Sequence, residues 1–493
     1  MSYKDLIKNK PGIDLEIVDK FLNTAMTSTL QEEFYSKKNE QTEKVLKIHD
    51  EMLNNSREIY SVALMLPIND IQKMLIVKNL VCSKSEKAEW ENNAILDTLK
   101  KMPVNRAYKL LYVLAMNKIN NARAKWLSRQ FLRERGEKVM FEAVKYKRLM
   151  KVLIKHFHID MKKICKDASN PEDVERFLFE KEKDKIQHQL YLDYIDAVTN
   201  VESVYKLPYS VAEGFKALHK ISDEEFMEKI KGKMSHAEKR RSQGRAERAG
   251  VKVEHDLSKD NPVNIQKFLR SPETDIKSIA KARKDFEKSC KKDAEKLFEY
   301  FDFERVKIIV DNSGSMYGSS QKKNHPISVA EATAGVLKYL SDETEIIGSP
   351  KKAGFLMKPD GQTDIAEGIL KALKGINLEE DTLIVIISDG YENAPSGLSN
   401  QLLLTFKKKL DKKEKILIIQ LNPVFAPEAE DIKKLSEAIQ TYGIRDTRQL
   451  FLILLLAVIR NKKDKKIRQV IEGVKKKVVV RKRKKKKKTG GRK

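Results

Sequence analysis

At 493 residues the chain exceeds what one hydrophobic core normally fills, and its 41% apolar content rules out disorder throughout, so two or more folded domains are expected. Its 98 Lys and Arg against 71 Asp and Glu leave a net charge of +27, which suits a polyanion, nucleic acid being the commonest one in a cytoplasm. Cys82, Cys165 and Cys290 lie far apart with no CxxC pair, which excludes a zinc module or a disulfide framework and fits inert thiols in a reducing, cytoplasmic setting.

The N-terminal "MSYKDLIKNKPGIDLEI" lacks the apolar core of a signal peptide. Residues 1–228 read as almost wholly helical. Apolar residues recur at three- and four-residue intervals in "EIYSVALMLPINDIQKMLIVKNLV" (58–81), "NRAYKLLYVLAMNKI" (105–119) and "EAVKYKRLMKVLIKHF" (142–157), with Pro67, Pro103 and Gly136 between segments. Such a series predicts a helical bundle or an α-solenoid, although no strict sequence repeat is visible. Segment 121–166 carries 14 Lys and Arg against four acidic residues. Arg123, Lys125, Arg129 and Arg133 recur near a helical turn, and Lys145, Lys147 and Arg148 follow, a pattern that would track a phosphate backbone. Trp126 and Tyr146 have the chemistry to stack on bases, but core packing is the ordinary reading of both. His156 and His158 read as residues of a packed or capping turn.

Residues 229–262 are basic and poor in large apolar side chains, which predicts a flexible linker or exposed basic loop, and a charged connecting helix follows over roughly 274–300. From 303 to 460 the pattern changes to alternating strands and helices. "RVKIIVD" (305–311), "DTLIVIISDG" (381–390) and "EKILIIQLN" (414–422) are short strands apolar on both faces, and "SVAEATAGVLKYL" (328–340) is a helix. That grammar predicts a doubly wound, Rossmann-like α/β domain with a parallel sheet covered on both sides. The apolar run at 450–459 is too short to cross a bilayer and reads as a buried last helix. Residues 461–493 form a polybasic tail, whose last nineteen residues hold 13 basic and no acidic groups, and it should stay solvated and disordered.

In doubly wound folds ligands sit outside the carboxyl ends of the strands, where Asp311 and Asp389 both fall. Three segments converge there: "DNSGSM" with Asp311, Ser313 and Ser315; "DGQTDIAEGI" with Thr363 and Asp364; and "SDG" with Asp389. Singly, each reads as a helix cap. Together they make a cluster of carboxylates and hydroxyls, a hard-oxygen set suited to Mg²⁺, Mn²⁺ or Ca²⁺ rather than zinc or copper. A serine nucleophile would need a base, and only His325 is near in sequence, without the G-x-S-x-G elbow. A phosphatase with Asp311 as nucleophile would want a second Asp where Ser313 stands. A catalytic role is therefore not expected.

These three loops resemble, in order, those of the von Willebrand factor A family, whose metal-ion-dependent adhesion site holds a divalent ion. The resemblance implies Asp311, Ser313, Ser315 and Thr363 as ligands of Mg²⁺, Asp389 as a ligand directly or through water, and Asp364 as a support of its loop. It also implies an open metal position for a partner's acidic residue. A basic helical half followed by such a domain resembles the Ro (TROVE) family of RNA-binding proteins. In that family a ring of helical repeats holds single-stranded RNA ends and structured RNAs bind outside it. The function this implies is non-catalytic RNA binding, with a metal-dependent contact to an acidic protein partner. The alternative is a protein–protein adaptor whose metal site docks an acidic partner such as an AAA+ ATPase. Neither reading needs a membrane.

Overall fold

The computed structural model describes residues 15–27, 38–84, 88–270, 276–298, 301–318, 324–411, 415–424 and 432–461. The polybasic tail lies outside the described residues. Those that are described fall into two compact units. One joins the residues up to Lys73 with those from Leu257 onward, and the other is Met74–Asp256.

The first unit is built on five strands: β1 (Arg305–Asp311), β2 (Glu343–Ser349), β3 (Thr382–Ile387), β4 (Ile416–Asn422) and β5 (Gln440–Gly443). All neighbours pair in parallel, in the order β2-β1-β3-β4-β5. Along β1, β3 and β4 nearly every residue is buried, because side chains alternate between two covered faces. On one face Ile309, Ile384, Ile386 and Ile418 meet Ile365 and Ile369 of helix Ile365–Leu373 and Leu403 and Phe406 of helix Leu398–Lys409. Helices His325–Leu337 and Leu450–Asn461 contact β1 and β4. Lys307, buried in the middle of β1, is tolerated because its ammonium reaches Glu345, its register partner on β2, at 3.3 Å. The chain leaves β1 toward β2 and then crosses back so that β3 lies on β1's other side. That reversal puts the switch point of the sheet between β1 and β3.

The run at 450–459 is the buried helix Leu450–Asn461, with Leu450, Leu452, Ile453 and Leu454 fully covered. Among the described residues no helix is long and apolar enough to cross a membrane. Helix Ile276–Phe298 stands where a charged helix was expected, but it lies wholly within this unit. It buries Ala282, Phe286, Cys290, Ala294 and Leu297, a stripe at three- and four-residue spacing. Helix Leu15–Thr27 also belongs to this unit. It buries Phe21, Leu22, Ala25 and Met26, and two carbonyls of its last turn find partners: Ala25 accepts from the Asn69 N–H at 2.9 Å, and Met26 from the Gln449 side chain at 3.0 Å. The helical stretch expected as one domain over 1–228 is thus divided after Lys73.

The second unit is entirely helical among its described residues. Here the reading of 229–262 as a linker is corrected. Helices Asp223–Ile230, His236–Arg241 and Gln243–Arg248 fold back so that Phe226, Met227, Ile230, Met234, Ala246, Val251 and Val253 share one buried cluster with Tyr205, Leu207 and Tyr209. A few apolar residues suffice because each is almost wholly covered, and the basic groups stay outside or pair, as Lys145 does with Glu238 at 2.9 Å. Local capping adds support: Ser235 and Glu238 form a reciprocal capping box. Cys165 and Cys290 are buried, and burial pushes the Cys165 thiol up to about 12, so both are inert.

Candidate metal centre and basic helical face

At the carboxyl edge of the sheet, beside the switch point, three loops meet. β1 ends in Asp311, whose Oδ1 accepts the Ser313 N–H at 2.9 Å and whose Oδ2 accepts the Ser388 hydroxyl at 2.8 Å. Ser388 is the residue that sequence reasoning quoted but left unassigned; its place at the end of β3, one before Asp389, is the signal. The Ser313 and Ser315 hydroxyls lie 3.1 Å apart, Ser313 buried and Ser315 exposed. Thr363 is 2% exposed, and its carbonyl accepts from the Asn393 and Ala394 N–H groups at 3.2 Å, tying the second loop to the third. Asp364 caps helix Ile365–Leu373 by accepting from the Glu367 N–H at 3.1 Å, and its carbonyl accepts from Ser349. Asp389 is 3% exposed and turns the loop by accepting the Tyr391 N–H at 3.0 Å. The glycine of "SDG" is required: Gly390 has φ +83°, and a Cβ there would stand 2.4 Å from the Lys433 carbonyl.

The electrostatics of this pocket are unbalanced. Among the described residues no Lys, Arg or His pairs with Asp311 or Asp389. Burial pushes the Asp311 carboxyl up to about 6; its bonds to Ser313 and Ser388 oppose the rise and the nearby Asp389 charge adds to it. Two buried carboxylates beside hydroxyls, with no protein cation, are a set of hard oxygens that a divalent cation fits.

The basic residues separate into two kinds. Helix Ala122–Arg135 starts at Asn121, which accepts from the Ala124 N–H, and buries Ala124, Leu127, Ser128, Phe131 and Leu132. Arg123 is spent inside this unit. Its guanidinium meets buried Glu91 at 2.9 Å and also bonds Asn92 and the Leu80 carbonyl. Lys145 pairs with Glu238, and Lys147 lies over the Phe177 and Tyr194 rings with Glu180 at 3.6 Å, its pKa lowered by burial. By contrast Lys125, Arg129 and Arg133, four residues apart, form one outer stripe, with Arg129 also donating to the His158 carbonyl at 3.3 Å. Among the described residues Lys125, Arg133 and Arg148 hold no ion pair. Trp126, expected in the core, is 38% exposed beside that stripe. Tyr146 is half-buried against Tyr108, ring centroids 5.1 Å apart. His156 bonds the Ile119 carbonyl and His158, in the left-handed region, ends helix Lys147–Phe157, the packed and capping roles expected of them.

No protein-family model matches the chain, and no curated protein matches it by sequence. Among solved structures, the Ro (RSR) protein of Deinococcus radiodurans is similar over 90% of this chain and 99% of its own, with a TM-score of 0.51 and 13% identity. At that identity the likeness is one of fold: the architecture is Ro-like, a helical portion together with an α/β domain.

Proposed function

We propose that this chain is a non-catalytic RNA-binding protein of the Ro type. The observation that carries the reading is the Ro-like fold extending over 90% of the chain. The outer stripe of Lys125, Arg129 and Arg133, with Arg148, would hold phosphates, and Trp126 would offer a face for a base. Arg123, Lys145 and Lys147 are engaged within the protein and would serve the fold instead. In the α/β domain, Asp311, Ser313, Ser315, Thr363 and Asp389 would hold a divalent cation, Mg²⁺ by preference. Bound there, the cation would neutralise the buried carboxylates and offer one position to a partner's carboxylate. Asp364, Ser388 and Gly390 keep the loops in place.

The test is RNA binding by the full chain across a salt series, with and without EDTA. Affinity should fall steeply with salt and survive EDTA. Replacing Lys125, Arg129 and Arg133 with Gln should flatten the log–log salt slope by about 2, near 0.7 per phosphate contact on a single strand. Deleting residues 475–493 separates the contribution of the tail. An unchanged slope in the triple variant, or no RNA binding at all, refutes the reading. The metal-site half is tested separately, by whether EDTA and Asp311→Ala release a protein partner while RNA stays bound.

A further inference from the structure

The α/β unit contains a cavity of about 320 Å³ that shares no lining residue with the oxygen cluster. Helices Pro262–Leu269, Ile276–Phe298 and His325–Leu337 and the loop through Phe355 enclose it. Its size is at the small end of natural ligand sites. In its wall sits the side chain of Gln266, 1% exposed, and neither Oε1 nor Nε2 of its amide has a hydrogen-bond partner among the described residues. A buried amide with both ends unpaired is costly, so a ligand that pairs it is strongly favoured. The neighbouring carboxylate, Glu331, is already engaged by Arg270 and by the Met357 N–H. Two aromatic rings also line it: Phe286 and Phe355 stand edge to face with centroids 5.8 Å apart, among aliphatic and sulfur groups such as Ile346, Met357 and Cys290. At the mouth are two exposed cations, Lys338 and Arg283; the Arg283 guanidinium lies 4.9 Å from the centre of the Phe355 ring, with Glu287 3.5 Å away as its counter-charge.

A free amide needs a ligand edge that carries a donor beside an acceptor. Adenine offers that pair to Gln through N6 and N7, the edge on which guanine presents two acceptors, while guanine's own donor–acceptor pair lies on its other, Watson–Crick edge. Aromatic walls suit its faces. We propose that this cavity binds an adenine nucleotide, with the Gln266 amide on the base edge, Phe286 and Phe355 against the ring, and the phosphate at Arg283 and Lys338. This site goes beyond RNA binding by the basic face and does not depend on it.

Titration calorimetry of the full chain with AMP, adenosine and GMP tests the proposal. AMP and adenosine should bind and GMP should bind far less. Gln266→Met, similar in length but unable to pair, should weaken both by roughly 10–100-fold, the loss of two hydrogen bonds. Because Met removes an unpaired buried amide, the variant should melt no lower than the parent in the absence of ligand, which separates lost binding from lost folding. Arg283→Gln should weaken AMP and leave adenosine unchanged. Competition of oligoadenylate with AMP would place the natural ligand in RNA, and failure to compete would make it a free nucleotide; either supports the site. No heat with adenosine, equal binding of AMP and GMP, or a Gln266→Met variant that binds like the parent would each overturn it.

Discussion

Replacing Asp311 with Asn should stabilise the metal-free protein. Asp311 is fully buried, and burial raises its carboxyl from an ordinary 3.8 to about 6. At pH 7 the folded state therefore holds the charged form at a cost of up to about 3 kcal/mol relative to the unfolded chain. Asn cannot ionise, keeps Oδ1 to accept the Ser313 N–H, and leaves the Ser388 hydroxyl free to turn and accept. The direction with pH follows from the raised value. The native state binds this proton more tightly, so the stability linked to Asp311 is fully present below about 3.8 and is lost as pH rises through about 6. The Asn variant should accordingly gain nothing near pH 4 and gain most at pH 7 and above. Thermal melts in EDTA measure this directly, with an expected rise of at most roughly 6–12 °C at pH 7 from about 2–4 °C per kcal/mol. Adding Mg²⁺ should then raise the parent, by about 2.7 kcal/mol at a hundredfold excess over Kd, and leave the variant unmoved. An Asn variant that melts below the parent in EDTA at pH 7 would refute the argument that these carboxylates lack a counter-charge.

Arg123→Ala should cost about 1–3 kcal/mol, because it removes the guanidinium that pairs with buried Glu91 and bonds Asn92 and the Leu80 carbonyl, and denaturant melts should show that loss while RNA binding by the folded fraction keeps its salt slope. Met234→Ala should cost about 2–5 kcal/mol and open 234–253 to hydrogen exchange, whereas a true linker there would lose nothing. Gly390→Ala should destabilise the α/β unit by at least about 1–3 kcal/mol, since the left-handed backbone and the Lys433 carbonyl both oppose a Cβ, and a neutral melt would show that the loop relaxes without strain.

Much of the α/β half could be read from local pattern. Doubly apolar strands alternating with helices imply a covered parallel sheet, because no other arrangement buries both faces, and the carboxylates follow from their places at strand ends. The edge strands β2 and β5 were not legible: β2 is half exposed and β5 has four residues, so neither carries a strong apolar signature. The basic stripe was legible as a count of charges and not as a role. Spacing alone cannot tell Lys125, which has no ion pair among the described residues, from Arg123, whose partners Glu91 and Asn92 lie some thirty positions away. The same limit explains residues 229–262. Their apolar groups are few, and only the surrounding helices make them a core.

Sequence by itself therefore determined the classes of structure and the oxygen chemistry, because strand and helix periods and the types of donor atom are local properties. Tertiary structure decided which strands are neighbours, and with that the switch point that brings Asp311, Ser388 and Asp389 to one edge. It also decided which cations face outward, how the first helices join the α/β unit, and that the Gln266 amide lies in a cavity with no partner among the described residues. Each of those depends on contacts between residues far apart in the chain, where no local pattern carries the information.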